Sequence, residues 1–293
     1  MPAAKTSPSK DASPGDELIV HLIDGTYELF RHFYGLRRFN KGEDKPFGAV
    51  IGVLNTVLQM IETGATHIGV ATDHVVESFR NALWPGYKTG DGMEPALLAQ
   101  FHPLEDALAA MGVAVWPMIE LEADDALASA AYIASEDEGV HRVSIWTPDK
   151  DLAQCVRGDR VVQVDRRSQK IRDAAGVREK FGVEPVLIPD FLALVGDAAD
   201  GYPGIPGIGA VSAARLLNKH GIIEDFPATV LGDKRDLALL FKHLATLKTD
   251  APLFRNIDEL RWRGPTDAFA ACVERFGEPR LLRRTFAAQK IVQ

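Results

Sequence analysis

Residues 18–23 (LIVHLI) are apolar at almost every position, on both faces of an extended chain, as suits a strand buried in a parallel sheet. The run stops at Asp24-Gly25. A second, residues 67–72, stops at Asp73, and a third, residues 143–146, is followed by Thr147-Pro148-Asp149-Lys150-Asp151. Between them, apolar positions at helical spacing cover residues 26–36, 49–62, 95–111 and 124–135, each long enough to be a crossover. This alternation predicts an α/β domain with a mainly parallel sheet. Ligands bind such sheets at the carboxyl ends of the strands, so the terminal Asp side chains should converge on one crevice. After residues 161–164 the strand signal fades, and from Ala174 the pattern is helical, punctuated by Gly and Pro. The pattern predicts a disordered tail at 1–16, an α/β domain at 17–180 and a helical C-terminal domain at 181–293.

Composition narrows the class. With 46% apolar residues in 293, the chain can bury a sizeable core, and its two cysteines, Cys155 and Cys272, make neither a disulfide framework nor a thiolate metal site. The longest apolar stretch, residues 49–61, is too short and too interrupted to span a bilayer, and the N-terminus has no signal-peptide core. A reducing cytoplasmic setting without membrane attachment is expected. The net charge of −8 argues at first against a phosphate-rich partner. Nine acids, however, fall in five short clusters, and setting those aside leaves 32 acids against 33 bases. If cations occupy the clusters, the global charge says little about affinity for nucleic acid.

The clusters are Asp24; Asp73; Glu122 with Asp124 and Asp125; Asp149 with Asp151; and Asp197 with Asp200. Singly, each has a plain structural explanation: turn chemistry for Asp24 and Asp73, helix capping for Glu122-Ala-Asp124-Asp125, and a solvated turn for Asp149-Lys-Asp151. The i, i+3 spacing of Asp197 and Asp200 puts both on one face of a helical turn. Together, several carboxylates in one crevice repel one another and are tolerable mainly around cations. The donors are all oxygen, which points to hard ions, Mg2+ or Mn2+. Such ions serve in-line phosphoryl transfer.

Other phosphate chemistries fail on particular residues. Ile23-Asp24-Gly25-Thr26 is similar to the opening of haloacid-dehalogenase-like phosphatases, but their nucleophilic Asp would fall at Leu22. No P-loop motif occurs, and Gly207-Ile208-Gly209 is too short for a dinucleotide fingerprint. Instead, Pro203-Gly204-Ile205-Pro206-Gly207-Ile208-Gly209 opens a helix, offering backbone N–H groups that duplex phosphates can approach regardless of base sequence.

LIDGTYELFRHF, ATDHVVESFRNALWPGYK, LEADDALAS, TPDKDLAQ and GDAADGYPGIPGIGAVSAARLL occur in this order. Together they resemble the 5′-3′ exonuclease and flap endonuclease family, from about Leu18 to the C-terminus. The resemblance implies a PIN-like nuclease domain, followed by a helix-three-turn-helix motif at about 190–221 that grips duplex DNA and holds K+. It implies one metal held at Asp24, Asp73, Glu122 and Asp124, and another at Asp149, Asp151, Asp197 and Asp200, with Asp125 in the same acidic set. It also places Lys88 on the scissile phosphate, Arg80 near the reaction, and Phe30, Arg31, Gly204, Gly207 and Gly209 on DNA. Two positions depart from the family pattern: Asp91 stands where a phosphate-steering Arg is common, and Gly201 where Asn is common.

The resulting expectation is a free-standing, monomeric, Mg2+-dependent 5′-nuclease, with no polymerase sequence following its helical region. Its partner would be DNA with a 5′ single strand meeting a duplex. A junction-binding protein with vestigial cleavage, motivated by Asp91, and a PIN-type ribonuclease stand as alternatives.

Overall fold

The computed structural model describes residues 17–39 and 46–292; the tail expected at 1–16 lies outside the described residues. The chain runs β1 (Leu18–Asp24), α1 (Gly25–Phe39), α2 (Gly48–Glu62), β2 (His67–Asp73), α3 (Phe79–Leu83), α4 (Pro95–Leu98), α5 (Phe101–Ala110), β3 (Ala114–Met118), α6 (Ala123–Glu136), β4 (Val140–Trp146), β5 (Val161–Asp165) and β6 (Lys170–Arg172). The helical part follows: α7 (Ala174–Phe181), α8 (Ile188–Val195), α9 (Ala210–His220), α10 (Ala228–Leu231), α11 (Arg235–Ala245), α12 (Ala268–Phe276) and α13 (Pro279–Val292).

The strands form one sheet in the order β3-β2-β1-β4-β5-β6, parallel as far as β5, with β6 antiparallel at the edge. Both faces of β1 are covered, which explains its unbroken apolar run. Ile23 packs with α1, α2 and α5, while Val20 and Leu22 pack with α6. In register, Asp24 lies beside Ala71 and Asp73 beside Met118, so the acids ending β1 and β2 are offset by only two positions along the sheet. A third core joins α7, α8, α9 and α11 to the short 3-10 turn Asp151–Cys155.

The structure corrects the sequence reading in four places. The helix expected at 95–111 is two helices, broken at Ala99 and Gln100. Pro103 would remove a hydrogen bond from a continuous helix, but it is tolerated in the first turn of α5. The freed Gln100 side chain accepts from the N–H groups of Ala49 and Val50, at 3.0 and 3.3 Å, and so caps α2. Strands β3 and β6 gave no sequence signal: β3 carries Pro117, which only an edge strand accommodates, and β6 has three residues. Asp197 and Asp200 do not sit on a helical turn. Helix α8 ends at Val195, and the two acids flank a tight turn closed by reciprocal backbone bonds between Asp197 and Tyr202 at 2.8 and 3.0 Å.

The fourth correction concerns the helical C-terminal region. After α11 the chain returns to the first domain. Leu247, Phe254, Ile257 and Leu260 join the α6 side of its core, and Trp262, Phe269, Val273, Leu281 and Ala288 join the α1/α2 side. Trp262 is anchored by its backbone N–H to Thr66 O at 2.8 Å and by its indole N–H to Met111 O at 2.9 Å.

Candidate metal centre

The parallel sheet delivers Asp24 and Asp73 at adjacent strand ends, and local chemistry fixes both. Asp24 Oδ1 accepts the Tyr27 N–H at 2.8 Å, capping α1, and its Oδ2 accepts the Thr147 hydroxyl at 3.0 Å. Asp73 Oδ1 accepts the Ala123 N–H at the start of α6, while the Asp73 N–H donates to Thr26 Oγ1. Helix α6 thereby presents Glu122 and Asp124 toward the same strand ends. Burial raises the Asp24 carboxyl to about 7 against the relief of its Tyr27 bond, with Asp73 and Asp149 adding repulsion. Asp124 is pushed well up by burial, then by Asp149 and Asp24; Asp73 is pushed up by burial, partly offset by Lys88.

Beside them, oxygens of Asp151, Asp197 and Asp200 all lie within 4.8 Å of one another, with all three residues buried. Burial, then Asp149, Asp200 and Asp197, hold the Asp151 carboxyl well above the carboxylate range. Its Oδ1 is buried without a hydrogen-bond partner. A buried carboxylate oxygen left bare among like charges is costly unless a cation takes it, and an all-oxygen donor set suits a hard divalent ion. The residues present therefore fit such an ion.

Lys88 links the two groups of acids. Its ammonium lies 2.7 Å from Glu122 Oε2 and 3.0 Å from Asp200 Oδ1. Burial alone would lower its pKa, but Asp200 and then Glu122 hold it well above the usual lysine value. The loop carrying Lys88 is docked by the Trp84 indole on Gly201 O at 3.0 Å and by the Lys88 N–H on Asp200 O at 3.0 Å. That approach demands Gly201: its φ is +81°, and a Cβ would stand 1.9 Å from Gly86 O.

Three site assignments need correction. Arg80 does not face the crevice. It is 1% exposed, with Nη1 and Nη2 on the two oxygens of Asp125 at 2.7 and 2.8 Å, and it donates to Glu122 and to the Leu244 carbonyl. Asp125 also accepts the Glu122 and Lys248 N–H groups, so its acceptor capacity is filled and it cannot ligate a metal. Gly204 is a packing glycine rather than a ligand contact: a Cβ there would meet Gly196 N and Val195 C at 2.4 Å. By contrast, nothing lies within 4 Å of a Cβ built at Gly207 or Gly209. Phe30 is half-buried, edge-on to Phe101, and Arg31 is ion-paired with the buried Glu28 at 2.5 Å. Asp91 is exposed.

Sequence reasoning missed Thr147, which accepts the Asp149 N–H while donating to Asp24 and so ties the two acid groups together. It also gave no role to Lys150, whose ammonium lies 2.5 Å from Asp197 Oδ2. Both were within reach, since they stand inside Thr147-Pro-Asp-Lys-Asp151. Arg172 and Lys180 carried no such signal. Burial lowers the pKa of both, each lies near Asp165, and Lys180 also feels Arg172 and Lys150. Arg172 donates to Gln163 Oε1 at 2.9 Å, and Lys180 also feels Asp149.

Residues 19–182 match the family model of the 5′-3′ exonuclease N-terminal resolvase-like domain, and residues 183–268 match that of the 5′-3′ exonuclease C-terminal SAM fold. The chain is 35% identical over 259 residues to DNA polymerase I of Pseudomonas aeruginosa, covering 82% of this chain but only 28% of the polymerase. It is 32% identical over 248 residues to a 5′-3′ exonuclease of Buchnera aphidicola (strain Bp), covering 78% of this chain and 81% of that one. In fold it is similar to the bacteriophage T5 D15 flap endonuclease in a pseudo-enzyme-product complex with DNA and metal ions. The TM-score is 0.61 at 19% identity, over 94% of this chain and 99% of that one.

Proposed function

The chain belongs to the 5′-3′ exonuclease family, and on that premise we propose that it is a divalent-metal-dependent 5′-nuclease cutting DNA phosphodiesters where a 5′ single strand meets a duplex. The observation that carries this reading is the buried Asp151–Asp197–Asp200 cluster with its bare Asp151 oxygen. Asp24, Asp73, Glu122 and Asp124 would hold one Mg2+ or Mn2+, and Asp149, Asp151, Asp197 and Asp200 another. Ions bound there supply Lewis-acid stabilisation of the phosphodiester and acidify an attacking water.

The chain's own residues orient the substrate. Lys88, already between the two groups of acids, donates to the scissile phosphate and steadies the charge that grows on it. Arg80 and Asp125 act one step back, holding Glu122 and the start of α6 in place. The open backbone at Gly207 and Gly209 receives duplex phosphates without reading bases, with K+ at the hairpin completing that grip. Lys180 extends the positive surface on the Asp149 side, and Phe30, half-buried on α1, stacks on the displaced strand. The protein acts as a monomer in the cytoplasm; among the described residues, no helix is long and apolar enough to cross a membrane.

A labelled 5′-flap duplex incubated with and without Mg2+ tests the reading. Cleavage near the junction that EDTA abolishes is expected, and cleavage persisting in excess EDTA would exclude metal-dependent hydrolysis. Exposed Asp91 favours a second reading, a junction binder with weak turnover. Tight flap binding in Ca2+ with no cleavage in Mg2+ would select it.

A further inference from the structure

The Asp197 carboxylate, one of the three acids that could face a cation, is already engaged by the Lys150 ammonium. Asp197 Oδ1 accepts the Ala199 N–H at 3.0 Å, whereas Oδ2 faces the Lys150 ammonium at 2.5 Å. Asp151 Oδ1, in the same cluster, is buried without a hydrogen-bond partner. A divalent ion held by this cluster would stand close to the Lys150 ammonium, and the two cations would compete for Asp197 through mutual repulsion. The ammonium can move: the Lys150 side chain is 35% exposed, stands on a four-carbon stem and lies in the turn beside exposed Asp149. It cannot settle among its cationic neighbours Lys180 and Arg172. The anion that arrives at this crevice is the substrate's phosphate.

Resting on the nuclease reading above, we propose that Lys150 is an exchange residue: it occupies Asp197 as a built-in counter-ion before metal binds, and on metal binding it transfers to a phosphate of the DNA. Ion binding and DNA grip are thereby coupled through one side chain. Lys150 weakens the resting affinity for ions and strengthens the grip on DNA once ions are bound. A purely structural lysine would not move these two affinities in opposite directions.

The test uses the full chain and two variants, Lys150→Met, which keeps the stem and removes the charge, and Lys150→Arg, which keeps the charge. Mn2+ affinity without DNA is measured by calorimetry. Flap affinity is measured in saturating Ca2+ across a salt series, and circular dichroism confirms folding. Lys150→Met should bind Mn2+ about 3–10-fold more tightly and flap DNA about 3–10-fold more weakly. Its salt slope should fall by about one. Lys150→Arg should stay near the parent in both. Unchanged or weaker Mn2+ binding in folded Lys150→Met overturns the exchange, and so does unchanged or tighter DNA binding. If the parent chain itself bound no Mn2+ and cut no flap, the nuclease reading would fall and the exchange with it; a cutting parent with an inert Lys150→Met sinks the exchange alone.

Discussion

Two basic residues only eight positions apart carry different duties, and the difference lies in what each touches. Arg80 is enclosed by Asp125, Glu122 and two backbone carbonyls near the end of α11, whereas the Lys88 side chain, its ammonium between Glu122 and Asp200, remains about one-third exposed. Removing one partner of a buried ion pair strands the other charge, so Arg80→Ala should lose about 3–5 kcal/mol of stability, measured by urea unfolding. Lys88→Ala should remain folded and lower the single-turnover cleavage rate by about 10²–10³. A stable Arg80→Ala, or a Lys88→Ala with an undiminished rate, would reverse these assignments. Both residues were visible in Ser78-Phe-Arg80 and Tyr87-Lys88 as basic positions of a nuclease-like motif. Which one faces solvent was not visible, because the groups enclosing Arg80 come from residues 122–125 and 244–246.

At the scale of an element, the turn from Gly196 to Gly209 is one motif in sequence and two devices in structure. Its first half is internal architecture. Gly196 and Gly204 sit back to back, so that a Cβ on either would collide with the other's backbone. Its second half is open, with Gly209 at an ordinary φ of −93° as the residue preceding α9. Gly204→Ala should therefore unfold or grossly destabilise the helical region, as a lowered melting temperature would register. Gly209→Val should fold normally and weaken flap binding alike on all sequences, with much of the cleavage rate recovered at saturating enzyme. Undiminished flap affinity in Gly209→Val would remove this turn from the DNA interface. The same turn clears one of the two departures from the family pattern. At Gly201, φ is +81° and a Cβ would stand 1.9 Å from Gly86 O, so in this chain the glycine is what the close approach of the Lys88 loop requires.

For the whole molecule, the crowded acids link stability, pH and metal. Asp24 is raised from 3.8 to about 7, and Asp73, Asp124, Asp151 and Asp200 are also raised, in each case with burial as the largest cause. A carboxyl whose folded pKa exceeds its unfolded value opposes folding fully above the folded pKa, and that penalty fades as pH falls through it. Divalent ions bind the ionised form and relieve the penalty where it exists. The rise in melting temperature given by Mg2+ over EDTA should therefore be large at about pH 8.5 and small at about pH 5.5. Taking the difference at each pH cancels half-buried His21 and His32, whose own pKa values are lowered by desolvation and which do not belong to the cluster. An equal rise at both pH values would mean that these carboxylates do not hold the ion.

The sequence alone determined the α/β class, the positions of β1, β2 and β4 to within a few residues, and the set of acids from which the proposed metal site is drawn. Those features are local: the period of apolar side chains reports burial on one face or two, and an Asp ending a buried run lies at a strand's carboxyl end. Only the tertiary structure decided which carboxylate oxygens stay free. Asp125 loses its capacity to Arg80 and to the N–H of Lys248, which is 123 positions away, while Asp151 keeps a bare oxygen beside Asp197 and Asp200. The return of residues 247–292 to the first domain was equally illegible. Helical periodicity tells which face of a segment is buried, but it carries no information about which of two cores will bury it.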